Sequence, residues 1–252
     1  MHAEHGSWLT WLYEIRVGGH PLVPDWVPEA VPFAVLVILA LSVLVRIGMR
    51  RPQRIPRGLQ SLVEWVFVAL GNAWRAILGD QARRFSPFLS TLFIYILLMN
   101  WCGLVPGFKS PTANLNTTVA LALIVFGVVQ IYGVIENGLL GYAKHFTGDI
   151  WWMAPLMLPI HIVGELARPL SLSLRLFGNV NSEDTIVMVL ITLGTVLFSR
   201  GLGGLMEGAP SVLAPLMIAM ALFTGLVQAY IFSVLAAVYL AGVMHEEEHA
   251  SA

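Results

Sequence analysis

Arg175 stands in the middle of apolar helical sequence, in the run Ser171-Leu-Ser-Leu-Arg-Leu-Phe-Gly-Asn179. A guanidinium stays protonated at any working pH, so it cannot shed its charge in a low dielectric as a lysine can. Holding it at bilayer depth costs at least about 2.5–3.5 kcal/mol on insertion scales, and a residue kept there marks a counter-ion or an ion path. The chemistry open to Arg175 is therefore electrostatic. It can attract and release a carboxylate and repel a proton, but it cannot relay one.

On a helical wheel, His161, Arg168, Ser171, Arg175, Asn179 and Ser182 fall within about 40° of one line. Glu165 and Glu183 lie about 80° to the side, and Asp184 is on the opposite face. Along the helix, Arg175 sits between an inner group (His161, Glu165, Arg168) and an outer group (Glu183, Asp184). The plain structural reading makes Arg168 a snorkelling cation or the partner of Glu165, His161 interfacial, and Asn179 a packing hydrogen bond. Adjacent carboxylates at bilayer depth, and Arg175 itself, fit that reading poorly. The final apolar run adds Thr224 and Gln228 one turn apart, with Tyr239 further along the same side, and Gln228 can reach across to Arg175 or Asn179. These parts suit a proton path, yet no complete relay crosses the bilayer within the chain. The missing element is a carboxylate from another subunit, ionised beside Arg175 and neutral against lipid.

The elements that carry these residues belong to an all-α polytopic membrane protein. Only 12% of the 252 residues are charged, mean hydropathy is +0.77, and the polar residues cluster between long uncharged runs. A formal charge of -1 offers no basic face for nucleic acid, and neither a phosphate-cradling glycine motif nor zinc-type ligand spacing is present. No cofactor or metal is expected. The single cysteine, Cys102, excludes an internal disulfide and lies in an apolar run without a neighbouring base, so it reads as an inert thiol. The first residues lack the basic and apolar regions of a cleaved signal.

A first span runs from about Ala30 to Val45, followed by Arg46, Arg50, Arg51, Arg54 and Arg57. By the positive-inside rule this loop is cytoplasmic and the N-terminus is outside. Gly58 to Leu78 mixes Glu64, Asn72 and Arg75 with Trp65 and Trp74, the pattern of an amphipathic helix lying in the cytoplasmic interface. Ser86 to Val105 crosses outward, Pro106-Gly107 turns, and Val119 to Ile135 returns to a cytoplasmic loop holding Glu136, Lys144, His145 and Asp149. Ile160 to Phe198, read as one helix, is roughly 58 Å long, about twice the hydrocarbon thickness. After a glycine-rich outer loop, Val212 to Val243 is a second overlong run, so the two form a tilted antiparallel hairpin. The organisation is about five membrane helices plus the interfacial one: an extracytoplasmic segment at 1–29, an integral membrane ion-translocating domain at 30–244, and a cytoplasmic acidic tail at 245–252.

Two motifs carry a specific resemblance: Arg168-Pro-Leu-Ser-Leu-Ser-Leu-Arg-Leu-Phe-Gly-Asn179 and Leu226-Val-Gln-Ala-Tyr-Ile-Phe232. Together with Pro56-Arg-Gly-Leu-Gln60, Glu64 and Asn114-Leu-Asn-Thr-Thr118, the chain from about residue 30 to 243 resembles subunit a of the F-type ATP synthase. The resemblance implies a stator subunit in a bacterial inner membrane that contacts a ring of c subunits, the subunit b peripheral stalk and other synthase subunits. It implies Arg175 as the essential arginine, Asn179 and Gln228 as its polar neighbours, Asp184 with Glu183 on the outer half-channel, and His161 with Glu165 on the inner one. No catalytic site is implied in this chain. Ala221 and Asn114 depart from the family, where acidic or histidine side chains are common, so the outer relay is thinner than usual. A sodium-translocating version of the subunit stays open. A self-contained secondary transporter would need inverted repeats, an intramembrane hydrolase would need a nucleophile with its base, and neither pattern is present; a pure scaffold leaves Arg175 unexplained.

Overall fold

In a computed structural model, the described residues are 16–17, 20–21, 28, 30–48, 58–105, 108, 110–147, 154–197 and 209–244. Apart from a two-residue antiparallel ladder, β1 (Arg16–Val17) with β2 (His20–Pro21), regular structure among them is helical. The helices are α1 (Ala30–Gly48), α2 (Leu59–Leu78), α3 (Ala82–Cys102), α4 (Leu115–Thr147), α5 (Ala154–Leu197) and α6 (Ala209–Met244). Most of the expected arginine-rich segment, the outer loop after α5 and the acidic tail lie outside the described residues.

The chain divides into two compact units. The first comprises Met1–Ser42, Tyr95–Thr117 and Leu176–Ala229; the second comprises Val43–Ile94, Thr118–Arg175 and Tyr230–Ala252. In the first, Phe33 of α1 is fully buried and packs its ring on Phe108, 5.4 Å between centroids. Ile96 and Met99 of α3, Leu176 and Val180 of α5 and Ala229 of α6 are buried in the same unit. In the second, the buried side chains include Trp74, Phe85, Leu89, Val125, Leu172, Phe232 and Leu240.

Outward-facing positions are apolar as well. Leu39, Val43 and Ile47 of α1 and Ile131 and Ile135 of α4 are each more than half exposed. In water this much bare apolar surface would be an aggregation hazard, whereas hydrocarbon solvates it. Four helical stretches among the described residues are long and apolar enough to cross a membrane: Ala30–Ile47, Gln60–Cys102, Leu115–Glu136 and Met217–Met244. The sequence count of five includes α5. That helix has ample length, but Glu165, Arg168 and Arg175 interrupt its hydropathy.

The Gln60–Cys102 stretch is not one rod. Gly79 adopts φ 54°, ψ −129°, a left-handed backbone that glycine tolerates and other residues resist, and a 3-10 turn at Gly79–Gln81 separates α2 from α3. Beside the turn, Trp74 Nε1 donates to Ser90 Oγ at 3.0 Å. One face of α2 is buried through Val63, Leu70, Trp74 and Leu78, while its exposed face mixes Arg75 and Asn72 with Leu62, Trp65 and Val68. That is the composition of a surface at the membrane–water boundary.

Two boundaries differ from the sequence reading. The helix that starts at Leu115 runs just past Glu136 and breaks at Gly138, whose φ of 69° and ψ of 164° are not helical, and a second helical stretch follows to Thr147. Lys144 and His145 are therefore on helical backbone rather than in a loop. Just before the break, Glu136 pairs with Arg84 of α3, and that guanidinium also lies over the Tyr132 ring, 4.8 Å from its centroid. Helix α5 is a single helix of 44 residues through Pro159 and Pro169, about 66 Å at 1.5 Å per residue. Pro169 removes the donor that would reach the Glu165 carbonyl one turn back. Within the second unit Arg168 of α5 meets Tyr239 of α6, and within the first Asn179 of α5 meets Gln228 of α6.

Trp74 is fully buried and its N–H has a partner. Trp74→Ala is expected to destabilise the protein by about 3–5 kcal/mol through the cavity it opens. Ser90→Ala, which removes the acceptor and leaves the buried Trp74 N–H unsatisfied, is expected to cost about 1–3 kcal/mol; unfolding midpoints in detergent report both.

Candidate ion-translocation site

The polar stripe of α5 is real surface. Ser171, Arg175, Asn179 and Ser182 are exposed and His161 and Arg168 are half-exposed, while Leu172, Leu176 and Val180 turn into the core. The adjacent outward positions Val163, Leu166, Leu170 and Leu174 are exposed and apolar. The stripe is therefore a polar line on a hydrophobic helix face.

In the second unit, Glu165 is 8% exposed. Gln130 Nε2 of α4 donates to its Oε2 at 3.1 Å, and Arg168 Nη1 approaches Oε1 at 2.6 Å from one turn along α5. The Arg168 guanidinium also lies over the ring of Tyr239 on α6, 5.2 Å from its centroid. Arg168 is thus tied down on both sides and does not snorkel freely. A buried carboxylate with an ion pair and an amide donor meets the conditions under which such a charge is retained. A small cleft lined by Val125, Val129, Glu165, Arg168 and Tyr239 opens beside the pair. His161 lies one turn before Glu165.

Arg175 is the last α5 residue of this unit. It is exposed, and among the described residues no carboxylate pairs with it.

In the first unit, Asn179 Nδ2 donates to Gln228 Oε1 at 2.6 Å, so of the two partners open to Gln228 on sequence, the structure shows Asn179. Gln228 is 3% exposed and its Nε2 has no hydrogen-bond partner among the described residues. An unmade hydrogen bond at a buried amide costs about 1–3 kcal/mol, which makes this nitrogen a ready donor to a water or an incoming acceptor. Asn181 Nδ2 bridges to the Ala113 carbonyl at 3.2 Å. Ser182, Thr185 and Thr224 turn their hydroxyls back onto carbonyls of their own helices. Glu183 and Asp184 have helical backbone within α5, but their side chains lie outside the described residues. Asn114 Oδ1 accepts the Asn116 N–H at 2.9 Å, so at this position the side chain caps the start of α4.

Several of these groups escaped the sequence reading. Gln130 is a lone amide in the apolar run of α4 and Asn100 one in α3, and an isolated amide in a membrane helix is a readable signal. Asn181 was masked by the more prominent Asn179 beside it. Tyr239 was placed on the correct side, but its role under Arg168 depends on the register of α6 against α5.

These features define a helical membrane protein that presents a permanent cation and hydrogen-bonded polar clusters on long helices. Residues 31–241 match the sequence profile of the ATP synthase A chain family. The chain is 43% identical over 216 residues to ATP synthase subunit a 1 of Syntrophotalea carbinolica, covering 86% of each. It is 40% identical over 216 residues to ATP synthase subunit a of Syntrophobacter fumaroxidans (85% of this chain, 81% of that one), and 37% identical over 218 residues to that of Geobacter sulfurreducens (86% and 88%). The chain belongs to the ATP synthase A chain family, the proton-translocating subunit a of the F-type ATP synthase membrane sector. It is a multi-pass bacterial membrane protein that sits in the complex with other synthase subunits.

Removing one member of a desolvated ion pair costs more than removing both, because the survivor keeps its desolvation penalty. Arg168→Met is accordingly expected to destabilise the protein by about 2 kcal/mol, below the roughly 3–5 of a fully buried pair because Arg168 is 40% exposed. Adding Glu165→Leu is expected to recover part of that loss; midpoints of the two variants in detergent check the order.

Proposed function

We propose that this subunit couples ion flow to rotation by serving the carboxylates of a c-subunit ring through two offset half-channels, with Arg175 as the fixed charge between them. The observation that carries the reading is Arg175 itself: a permanent cation, exposed on a polar stripe, with no carboxylate pairing it among the described residues. Its counter-ion then comes from a partner chain. A ring carboxylate is ionised beside the guanidinium, where the opposite charge favours the charged form, and neutral against lipid, where desolvation favours the protonated one.

Glu183 and Asp184 serve the outer half-channel and His161 with Glu165 the inner one, with Asn179 and Gln228 as the polar neighbours of Arg175 on the ion path. A proton entering on the outer side neutralises a carboxylate newly released from Arg175, which frees it to turn into lipid. After nearly a full rotation the carboxylate meets the inner half-channel, loses its proton to the cytoplasm and is drawn to Arg175. The same fixed charge repels a proton hopping directly between the half-channels. The orientation rests on the positive-inside rule: Arg46 and the arginines that follow are cytoplasmic, the N-terminus is extracytoplasmic and the acidic tail is cytoplasmic. Subunit b of the peripheral stalk holds the chain against rotation.

Arg175→Ala is expected to abolish ATP-driven proton pumping in inverted membrane vesicles while the amount of assembled complex stays near wild type. Undiminished pumping by that variant refutes the assignment. Robust transport by the purified chain alone, in vesicles without a ring, would instead identify a self-contained transporter.

A further inference from the structure

The amide of Gln228 must be held where Asn179 satisfies its oxygen although nothing among the described residues satisfies its nitrogen. An unfavourable placement of that kind needs to be enforced from outside the pair. The enforcing contacts lie one turn earlier on α6. Asn100 Nδ2 donates to the Gly225 carbonyl at 3.1 Å, and Trp101 Nε1 donates to the Leu222 carbonyl at 3.2 Å. A Cβ on Gly225 would stand 3.3 Å from both Asn100 Cβ and Trp101 Cδ1, so an added methyl would press on both of these α3 side chains.

The Asn100 amide is fixed from its other end as well. Thr112 Oγ1 donates to Asn100 Oδ1 at 2.8 Å. The Gly225 carbonyl can only accept, so a single orientation of the amide satisfies both neighbours. Thr112 is fully buried and Ser110 nearly so. Ser110 Oγ lies 2.7 Å from Thr112 Oγ1 and 3.1 Å from the Met99 carbonyl. With the Thr112 proton committed to Asn100, the one Ser110 proton is shared between those two acceptors. An unbroken series of hydrogen bonds thus runs from the loop before α4, through Asn100, to the backbone of α6, all within the first unit.

We propose that Asn100 is a positioning residue for Gln228: through the Gly225 carbonyl it sets the height and rotation of α6 that bring the Gln228 amide to Asn179. Its importance for transport rests on the assignment of Gln228 to the ion path given above. The two are separable by experiment.

In the assembled complex, with Cys102→Ser as background, Asn179→Cys paired with Gln228→Cys reports the site, and Arg84→Cys paired with Glu136→Cys reports the fold elsewhere. The probe is a short bifunctional thiol cross-linker. Adding Asn100→Leu is expected to slow cross-linking of the first pair about fivefold, the factor that one net hydrogen bond carries, and to leave the second pair unchanged. Gly225→Ala, which keeps every side-chain donor but presses a methyl against Asn100 and Trp101, is expected to do the same. An unchanged first pair in both variants, or equal slowing of the two pairs, overturns the proposal. If Gln228→Leu leaves ATP-driven pumping intact, the ion-path assignment of Gln228 fails while the positioning result stands.

Discussion

A guanidinium on an apolar helix has no neutral form to retreat into, so everything around Arg175 must be arranged for a charge that never leaves. A carboxylic acid or a lysine at the same place would lose its charge to escape the low dielectric. The chain does not bury Arg175 or give it a described carboxylate; it leaves it on an exposed polar line flanked by leucine and valine. In the function proposed above, a carboxylate of a second chain supplies the opposite charge, and the length of α5 and its polar stripe then serve one purpose.

The two units handle polarity differently. In the second unit the described cluster is ionic: Glu165 is balanced by Arg168 and held by Gln130, with the guanidinium stacked on Tyr239. In the first unit the described cluster consists of amides and hydroxyls, among them Asn100, Ser110, Thr112, Asn179 and Gln228. Neutral groups can be buried at the cost of their hydrogen bonds alone, whereas each buried ion adds a solvation penalty of several kcal/mol, of the order of 20 in the idealised limit. That difference explains why Thr112 can be fully enclosed while Arg168 keeps part of its surface accessible.

Much of this was legible in the sequence because hydropathy and helical period act over long windows. The overlong helices and the α5 stripe follow from patterns of that kind, as does the break between an interfacial helix and α3. What was not legible depends on single backbone dihedrals or on which side chain faces which. The α4 span ends at the Gly138 break and not at Glu136, since a charged residue ends an apolar run without ending a helix. The burial of Glu165 depends on Gln130, thirty-five residues away, and the role of Gly225 depends on the close approach of Asn100 and Trp101. Periodicity along one helix carries no information about a neighbour's register, so these pairings could only be found in three dimensions.

Gly79 makes the bend between α2 and α3 a matter of torsion and not of room. A Cβ at this position would meet no heavy atom within 4 Å, yet the φ of 54° is open to glycine and resisted by other residues. Empty space beside a residue is therefore no licence to enlarge it: the position works as a pin whose shape is kept by one missing carbon.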